Sequence, residues 1–214
     1  MTDLRLLVHE LRTPVASIRA AAAGLAREDL DPDVRARLTT IVSLEAARLA
    51  RLLDDLGAAD ELQGGGLSVA PEPCDVVEVA EPIVEAAAAR AHPPRRVRLA
   101  AGGVPLALAA PDRLAQVLAN LVENALVHGE GDVEVAIAAA EGGVRVAVLD
   151  EGPGIPPGDR DRVFERDVRL EPTRPGTGLG LWLCRELVER QGGTIAVEDA
   201  PDGRAAIVVV LPAA

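Results

Sequence analysis

Lysine and tyrosine are absent from this 214-residue chain, and the only aromatic rings are Phe164 and Trp182. So few rings exclude a stacking platform for nucleic-acid bases and leave the core to aliphatic and alanine side chains. All 22 basic residues are arginines, so an anion can be met only by guanidinium groups, backbone N–H groups or a metal ion. They are outnumbered by 34 acidic residues, for a net charge of −12, and form no basic cluster, which argues against a nucleic-acid backbone or an anionic membrane surface as partner. Cys74 and Cys184 are too few to staple a fold of this size, and their spacing carries no metal or redox motif, so a reducing cytosol fits. No segment approaches the roughly 18 uninterrupted apolar residues of a membrane span, and the N-terminus lacks a signal-peptide layout. What is present is 49% hydrophobic content, enough for a packed core in one large domain or in a small and a medium one.

The apolar positions of the first module run Leu4, Val8, Leu11, Val15, Ile18, Ala22, Leu25. Steps of four and three make this the seam of a coiled coil or helical bundle. Asp31-Pro32 supplies an N-cap and first helical residue for a second helix, which carries Val34, Leu38, Ile41, Leu49, Leu52 and Leu56 and fades near Leu62. A two-helix hairpin leaves one side of such a seam open, so dimerisation into a four-helix bundle is expected. Residues 1–62 are read as this hairpin, and the glycine- and proline-rich stretch 63–73 as a linker. Residues 74–214 follow as a second domain of mixed strands and helices. Helices are expected over Asp75–Ala91, Asp112–Val127 and Leu179–Gln191, with strands near Val97–Leu99, Val104–Ala109, Val133–Ala138, Val144–Leu149, Thr194–Val197 and Ala205–Leu211. This pattern predicts an α/β sandwich.

Candidate chemistry falls in two places. In the heptad register His9 takes an outward position, beside Glu10, whose carboxylate can accept a hydrogen bond from one ring nitrogen and leave the other as nucleophile. Thr13 lies one turn on, where a hydroxyl could hold a water, or be an ordinary solvent-facing threonine. Pro14 removes a helical N–H and predicts a bend beside them. In the second domain Asn120 and Asn124 share a helix face, where an amide oxygen can coordinate Mg²⁺. Asp150 follows a strand and precedes Gly152-Pro153-Gly154, whose glycines permit close backbone approach. Gly176, Thr177, Gly178, Leu179 and Gly180 open a helix whose N-terminus suits phosphates. His128 either lines the same site or caps the helix end at Gly129. The charged segment 160–175 reads as a mobile lid.

In this order, these motifs resemble a two-component sensor histidine kinase. HELRTP (9–14) matches its H-box, NLVENA (120–125) its N-box, DEGPG (150–154) its G1 box and GTGLG (176–180) its G2 box. The resemblance implies a dimeric phospho-acceptor hairpin followed by a Bergerat-type ATP-binding domain. It further implies ATP and Mg²⁺ as cofactors, autophosphorylation of His9 with Glu10 assisting, and Asn124 as metal ligand. Asp150 would accept from the adenine amino group. Phosphotransfer would go to an aspartate of a response regulator receiver domain, and Thr13 would serve a phosphatase activity toward that regulator. Related Bergerat ATPases usually carry a glutamate base where Asn120 stands, which favours transfer to a protein over hydrolysis. Two positions depart from the family: Val127 stands where a basic residue is common, and Asp167 where a second aromatic accompanies Phe164. The phosphate charge would then fall to Mg²⁺, helix N–H groups and Arg166, Arg169 or Arg174. Those departures are the support for a rival reading, a non-catalytic kinase-like scaffold. The resemblance implies a cytoplasmic homodimer, and contact with a membrane only through segments this chain lacks.

Overall fold

The computed structural model describes residues 4–27, 29–64, 69–91, 95–170, 177–200 and 202–214. The side chains of residues 4–7 and 9 lie outside that description. The chain divides into two compact units, a helical hairpin grouped with residues 177–179 and a domain holding all the strands.

In the hairpin, α1 (Leu4–Leu25) is followed by α2 (Pro32–Gln63). The start of α2 follows its local chemistry: Asp31 Oδ1 accepts from the N–H groups of Asp33 (2.8 Å) and Val34 (3.4 Å), and Pro32 occupies the first turn. These donors have no intrahelical partner, and the cap satisfies them. The helices face each other through Glu10, Pro14 and Ala21 of α1, all buried. Much of the apolar seam expected from the sequence is left outside: Val8 is 44% exposed, Val15 41%, Val34 41% and Ile41 40%. A single partner helix covers one face of α1, and the heptad-spaced pairs Val8/Val15 and Val34/Ile41 lie off it. Pro14 sits within α1, which continues through it as one helix.

The second unit is built on a five-stranded mixed sheet. Its strands are β2 (Val97–Ala101), β4 (Val133–Ala140), β5 (Gly143–Leu149), β6 (Thr194–Asp199) and β7 (Ala205–Pro212), in the order β2-β4-β5-β7-β6. Only the β2–β4 pair is parallel. β4 and β5, both expected as strands, form an antiparallel hairpin with Ala140 opposite Gly143. Helices α3 (Val76–Arg90), α4 (Pro111–His128) and α5 (Gly180–Arg190) pack beside the sheet. Their buried residues, including Val76, Leu114, Leu121, Leu183 and Leu187, meet a core that also holds Val133, Val135, Val144, Val146, Val209 and Leu211. The opposite face of the sheet closes over a smaller cluster of Ala147, Leu149, Ala206 and Val208.

Two details differ from the sequence reading. β1 (Glu72–Cys74) begins inside the stretch read as linker and pairs antiparallel with β3 (Ala107–Ala109). Pro73 is tolerated in this two-stranded ribbon because every strand in it is an edge. β3 is also half as long as expected, because Val104, Pro105 and Leu106 lie outside the pairing. The buried thiols carry no disulfide, and burial, aided by Asp75, Glu72 and Glu78, pushes the Cys74 thiol above its ordinary range.

Gln191 ties the end of α5 to the start of α4. Its Oε1 accepts from Ala110 N–H at 2.8 Å, ahead of α4, while its Nε2 donates to Leu187 O at 2.8 Å. The residue is 4% exposed, so water cannot replace either bond. Gln191→Ala should lower unfolding stability by about 1–3 kcal/mol, and Gln191→Glu, which keeps an acceptor for Ala110 N–H but buries a carboxylate against the Leu187 carbonyl, by at least as much at neutral pH. Urea unfolding followed by circular dichroism measures both, and a Gln191→Glu variant as stable as the unmodified chain would contradict the donor role of Nε2.

Candidate functional site

The HELRTP motif (9–14) lies on α1. His9 is within the helix, and the outward direction expected for its side chain lies outside the described residues. Glu10 turns inward: it is 6% exposed, and its Oε2 accepts from Arg48 Nη2 of α2 at 3.3 Å. Thr13 is exposed one turn along. The sequence reading had the Glu10 carboxylate accept from a His9 ring nitrogen; its bond to Arg48, 38 residues away, depends on the hairpin and could not be read there.

In the second unit α4 buries Leu114, Val117, Leu118, Leu121, Val122 and Ala125 on one face. Asn120 and Asn124 lie at the margin of that stripe, both half-buried. Gly180, the first residue of α5, has Asn120 as its neighbour: a side-chain carbon there would stand 4.0 Å from Asn120 Nδ2. The Asn124 amide makes no hydrogen bond among the described residues. His128 closes α4 and is half-buried, and Gly129 N–H caps the helix on Ala125 O at 3.0 Å.

Asp150 follows β5 and meets this helix end. Its Oδ1 accepts from Gly152 N–H at 2.7 Å, whereas Oδ2 has no partner among the described residues. Side-chain carbons built at Gly129 or Gly152 would collide with this carboxylate; the latter would also stand 3.0 Å from Gly129 Cα. The two glycines therefore let the α4 end and the β5 end close on either side of Asp150. Glu151 N–H donates to Glu130 O at 2.9 Å, fastening the two loops together. Gly154 has the left-handed φ of 72° and lies beside Ala205.

Of the second glycine motif, Gly176 lies outside the described residues. Thr177 and Leu179 are buried, Gly178 has φ 72°, and Thr177 Oγ1 accepts from Leu179 N–H at 3.2 Å. Gly180 begins α5 as part of the sheet-containing unit, while residues 177–179 group with the hairpin. The structure thus brings together Asn120, Asn124, His128, Asp150, Gly152 and Gly180 in one unit.

The segment read as a lid, 160–175, follows a short 3-10 turn at Pro157–Asp159 and carries a second at Arg162–Phe164. Phe164 is 2% exposed, and each aromatic ring of the chain carries an arginine. Arg166 lies over Trp182 at 4.9 Å, and Arg185 over Phe164 at 5.7 Å. The arginine of one segment covers the ring of the other, a cation–π arrangement that anchors this end of the lid to α5. Asp167 takes φ 63°, a left-handed conformation that aspartate tolerates better than an aromatic would. Arg174 lies outside the described residues.

The described residues hold no cluster of three or more His, Cys, Asp or Glu suited to a metal ion, and none of their helices is long and apolar enough to cross a membrane.

Comparison with known proteins agrees with this arrangement. Residues 4–63 match the family model of the His Kinase A (phospho-acceptor) domain, and residues 109–214 that of the histidine kinase-, DNA gyrase B- and HSP90-like ATPase. The chain is similar to the signal transduction histidine-protein kinase AfsQ2 of Streptomyces coelicolor, at 35% identity over 95% of this chain and 40% of that protein. It is also 35% identical to the alginate biosynthesis sensor protein KinB of Pseudomonas aeruginosa, over 95% of this chain and 35% of KinB. It therefore spans 35–40% of the length of these curated relatives. Among solved structures, full-length ShkA in complex with AMPPNP aligns with a TM-score of 0.69 and 29% identity, covering 100% of this chain and 46% of that one. The ATP-binding domain of PrrB from Mycobacterium tuberculosis aligns with a TM-score of 0.54 and 28% identity over 68% of this chain and 98% of its own. With both domain types matched in the order its motifs indicate, the chain belongs to the two-component sensor histidine kinase family.

Proposed function

We propose that this chain is the catalytic core of a sensor histidine kinase: it binds ATP, phosphorylates His9, and passes the phosphoryl group to an aspartate of a response regulator. The observation that carries this reading is the Asp150 carboxylate, enclosed by Gly129 and Gly152 yet left with one oxygen unpartnered among the described residues. That oxygen suits the amino group of adenine. The domain limits proposed are those read from the sequence, 1–62 for the hairpin, 63–73 for the linker and 74–214 for the nucleotide domain, with the last boundary moved back to Glu72, where β1 joins that domain.

The Asn124 amide, half-buried and without a hydrogen bond among the described residues, fits a Mg²⁺ ion held chiefly by nucleotide phosphates, the usual mode for this cation. When bound, Mg²⁺ would neutralise phosphate charge. Asn120 supplies an amide where a hydrolytic base would otherwise stand, which suits transfer to a protein acceptor. An imidazole nitrogen of His9 attacks the γ-phosphorus as the bond to the ADP oxygen breaks, and Glu10 orients the ring and takes up its proton. Arg48 holds the Glu10 carboxylate in the hairpin. Thr13, exposed one turn from His9, is placed to orient a water in hydrolysis of the phosphorylated regulator. Positioning and electrostatics supply most of the catalysis. The exposed Val8, Val15, Val34 and Ile41 support closure of the hairpin into a homodimeric four-helix bundle. The charge balance supports no nucleic-acid partner, and a cytoplasmic site for the core suits ATP and a receiver domain.

Incubation with γ-labelled ATP tests the reading: label should appear on the chain, be lost in acid and survive alkali. His9→Gln should abolish labelling while leaving nucleotide affinity unchanged, and persistent label would refute His9 as acceptor. Asp150→Asn should weaken ADP binding by about one to two powers of ten, the loss of a charge-assisted hydrogen bond worth about 1.5–3 kcal/mol. Gly129→Ala should act in the same direction by displacing that carboxylate, and calorimetric titration with unaltered affinities would sink the adenine role. Val15→Asp with Ile41→Asp should convert the dimer to monomers in sedimentation, because both side chains are exposed in the single chain and can be changed without opening its own core. A monomeric unmodified chain at tens of micromolar would contradict the bundle.

A further inference from the structure

The wall around Asp150 is itself held by a residue that the sequence motifs do not include. The last turn of a helix leaves its carbonyls without intrahelical donors. At the end of α4 the Arg95 guanidinium adds donors: Nη2 donates to Ala125 O at 2.7 Å, beside the Gly129 N–H on the same carbonyl, and Nη1 to Leu126 O at 2.7 Å. Its Nε donates to Gly131 O at 2.5 Å, beyond the helix. One planar, rigid group thus fixes the spacing between the helix end and the backbone that follows it, with His128 and Gly129 in between. A cation there is also favoured by the helix dipole.

Arg95 is itself anchored by its neighbour. Arg96 N–H donates to Asp132 Oδ1 at 2.9 Å, and Arg96 O accepts from Val133 N–H at 2.9 Å, where the parallel β2–β4 pairing begins. From Gly131 the connection runs to the carboxylate. Glu130 O takes the Glu151 N–H, Glu151 packs on Gly131, and Gly129 closes on Asp150. An uninterrupted chain of short contacts therefore links Arg95 to the group that faces adenine.

We propose that Arg95 is a positioning residue for base recognition: by clamping the α4 end to Gly131 it sets where Gly129 stands against Asp150, and so where the carboxylate meets the 6-amino group of adenine. This rests on the nucleotide reading above. Arg95 acts through Asp150, and the phosphate side of the site, served by the body of α4, is less dependent on it. Lysine cannot substitute, because an ammonium is a point donor that does not span three carbonyls on two segments.

The test is base discrimination in the full chain. Affinities for ADP and GDP are measured by calorimetry for the unmodified protein, Arg95→Ala and Arg95→Lys, with thermal unfolding as a check on folding. GDP carries a carbonyl where ADP carries the amino group, so the ADP/GDP affinity ratio reports Asp150. The expected result is an ADP affinity lowered about tenfold, equivalent to about 1.4 kcal/mol, with GDP affinity changed less than twofold, in both variants. Arg95→Lys retains a cation at the helix end and gives the answer if Arg95→Ala does not fold. An unchanged ratio, whether both affinities hold or both fall together, overturns the proposal. If the unmodified chain binds no ADP, the nucleotide reading fails and this inference with it; if it binds and both variants keep the ratio, only the inference fails.

Discussion

The approach of two backbones around one carboxylate governs the nucleotide domain. The α4 end and the β5 end come so near that neither Gly129 nor Gly152 has room for a side chain beside Asp150. That distance is set by the sheet. β4 begins at Val133, immediately after the glycine-bearing loop, and pairs in register with both β2 and β5, so helix end, loop and strand end have little freedom. One Asp150 oxygen satisfies the Gly152 N–H. The other has no partner among the described residues, the crowding that brings the loops together being backbone rather than side chain. A single methyl at either glycine would compete for the space the carboxylate occupies.

A chain without lysine makes its arginines serve geometry as well as charge. Glu134 accepts from Arg98 at 2.8 Å and Arg204 at 3.1 Å, bridging β2, β4 and the approach to β7; the bond from Arg98 chiefly holds its carboxyl below the usual range. Protonation at low pH would therefore loosen this edge of the sheet, since a carboxyl whose folded value is depressed loses its contribution as pH falls through that value. Exposed ion pairs of this kind stabilise little individually; their effect here is to fix where strand ends lie. The planar guanidinium also covers the two rings at the start of the lid, a role an ammonium fills less well.

The hairpin shows the same separation of inner and outer demands. The inner face uses a buried proline, an alanine and the Glu10–Arg48 pair, while apolar residues at heptad spacing remain outside. Leaving a carboxylate in a helix interface is costly unless it is paired, and Arg48 supplies that pairing at 3.3 Å. Glu10 is thereby held at a defined place next to His9 along the helix. The valines and isoleucine, 40–44% exposed, offer apolar surface whose burial between two hairpins would give roughly 1 kcal/mol per side chain, somewhat under half the value for full burial, before entropy is subtracted.

Local chemistry was legible in the sequence. Heptad spacing marked α1, Asp31-Pro32 placed the start of α2, and the apolar runs Val133–Ala138 and Val144–Leu149 marked β4 and β5, because caps and periodicity depend on neighbours within a few residues. The motifs around His9, Asn124 and Asp150 were readable for the same reason, each being a short run whose residue types belong together. Which face of α1 is inner, the pairing of Glu10 with Arg48, the short β1–β3 ribbon inside the presumed linker, and the bonds of Gln191 and Arg95 were not. Those partners lie roughly 30 to 80 residues apart. A side chain able to donate to any carbonyl carries no mark of which carbonyl it will meet, and the choice is made only when sheet register and helix packing bring the two segments together.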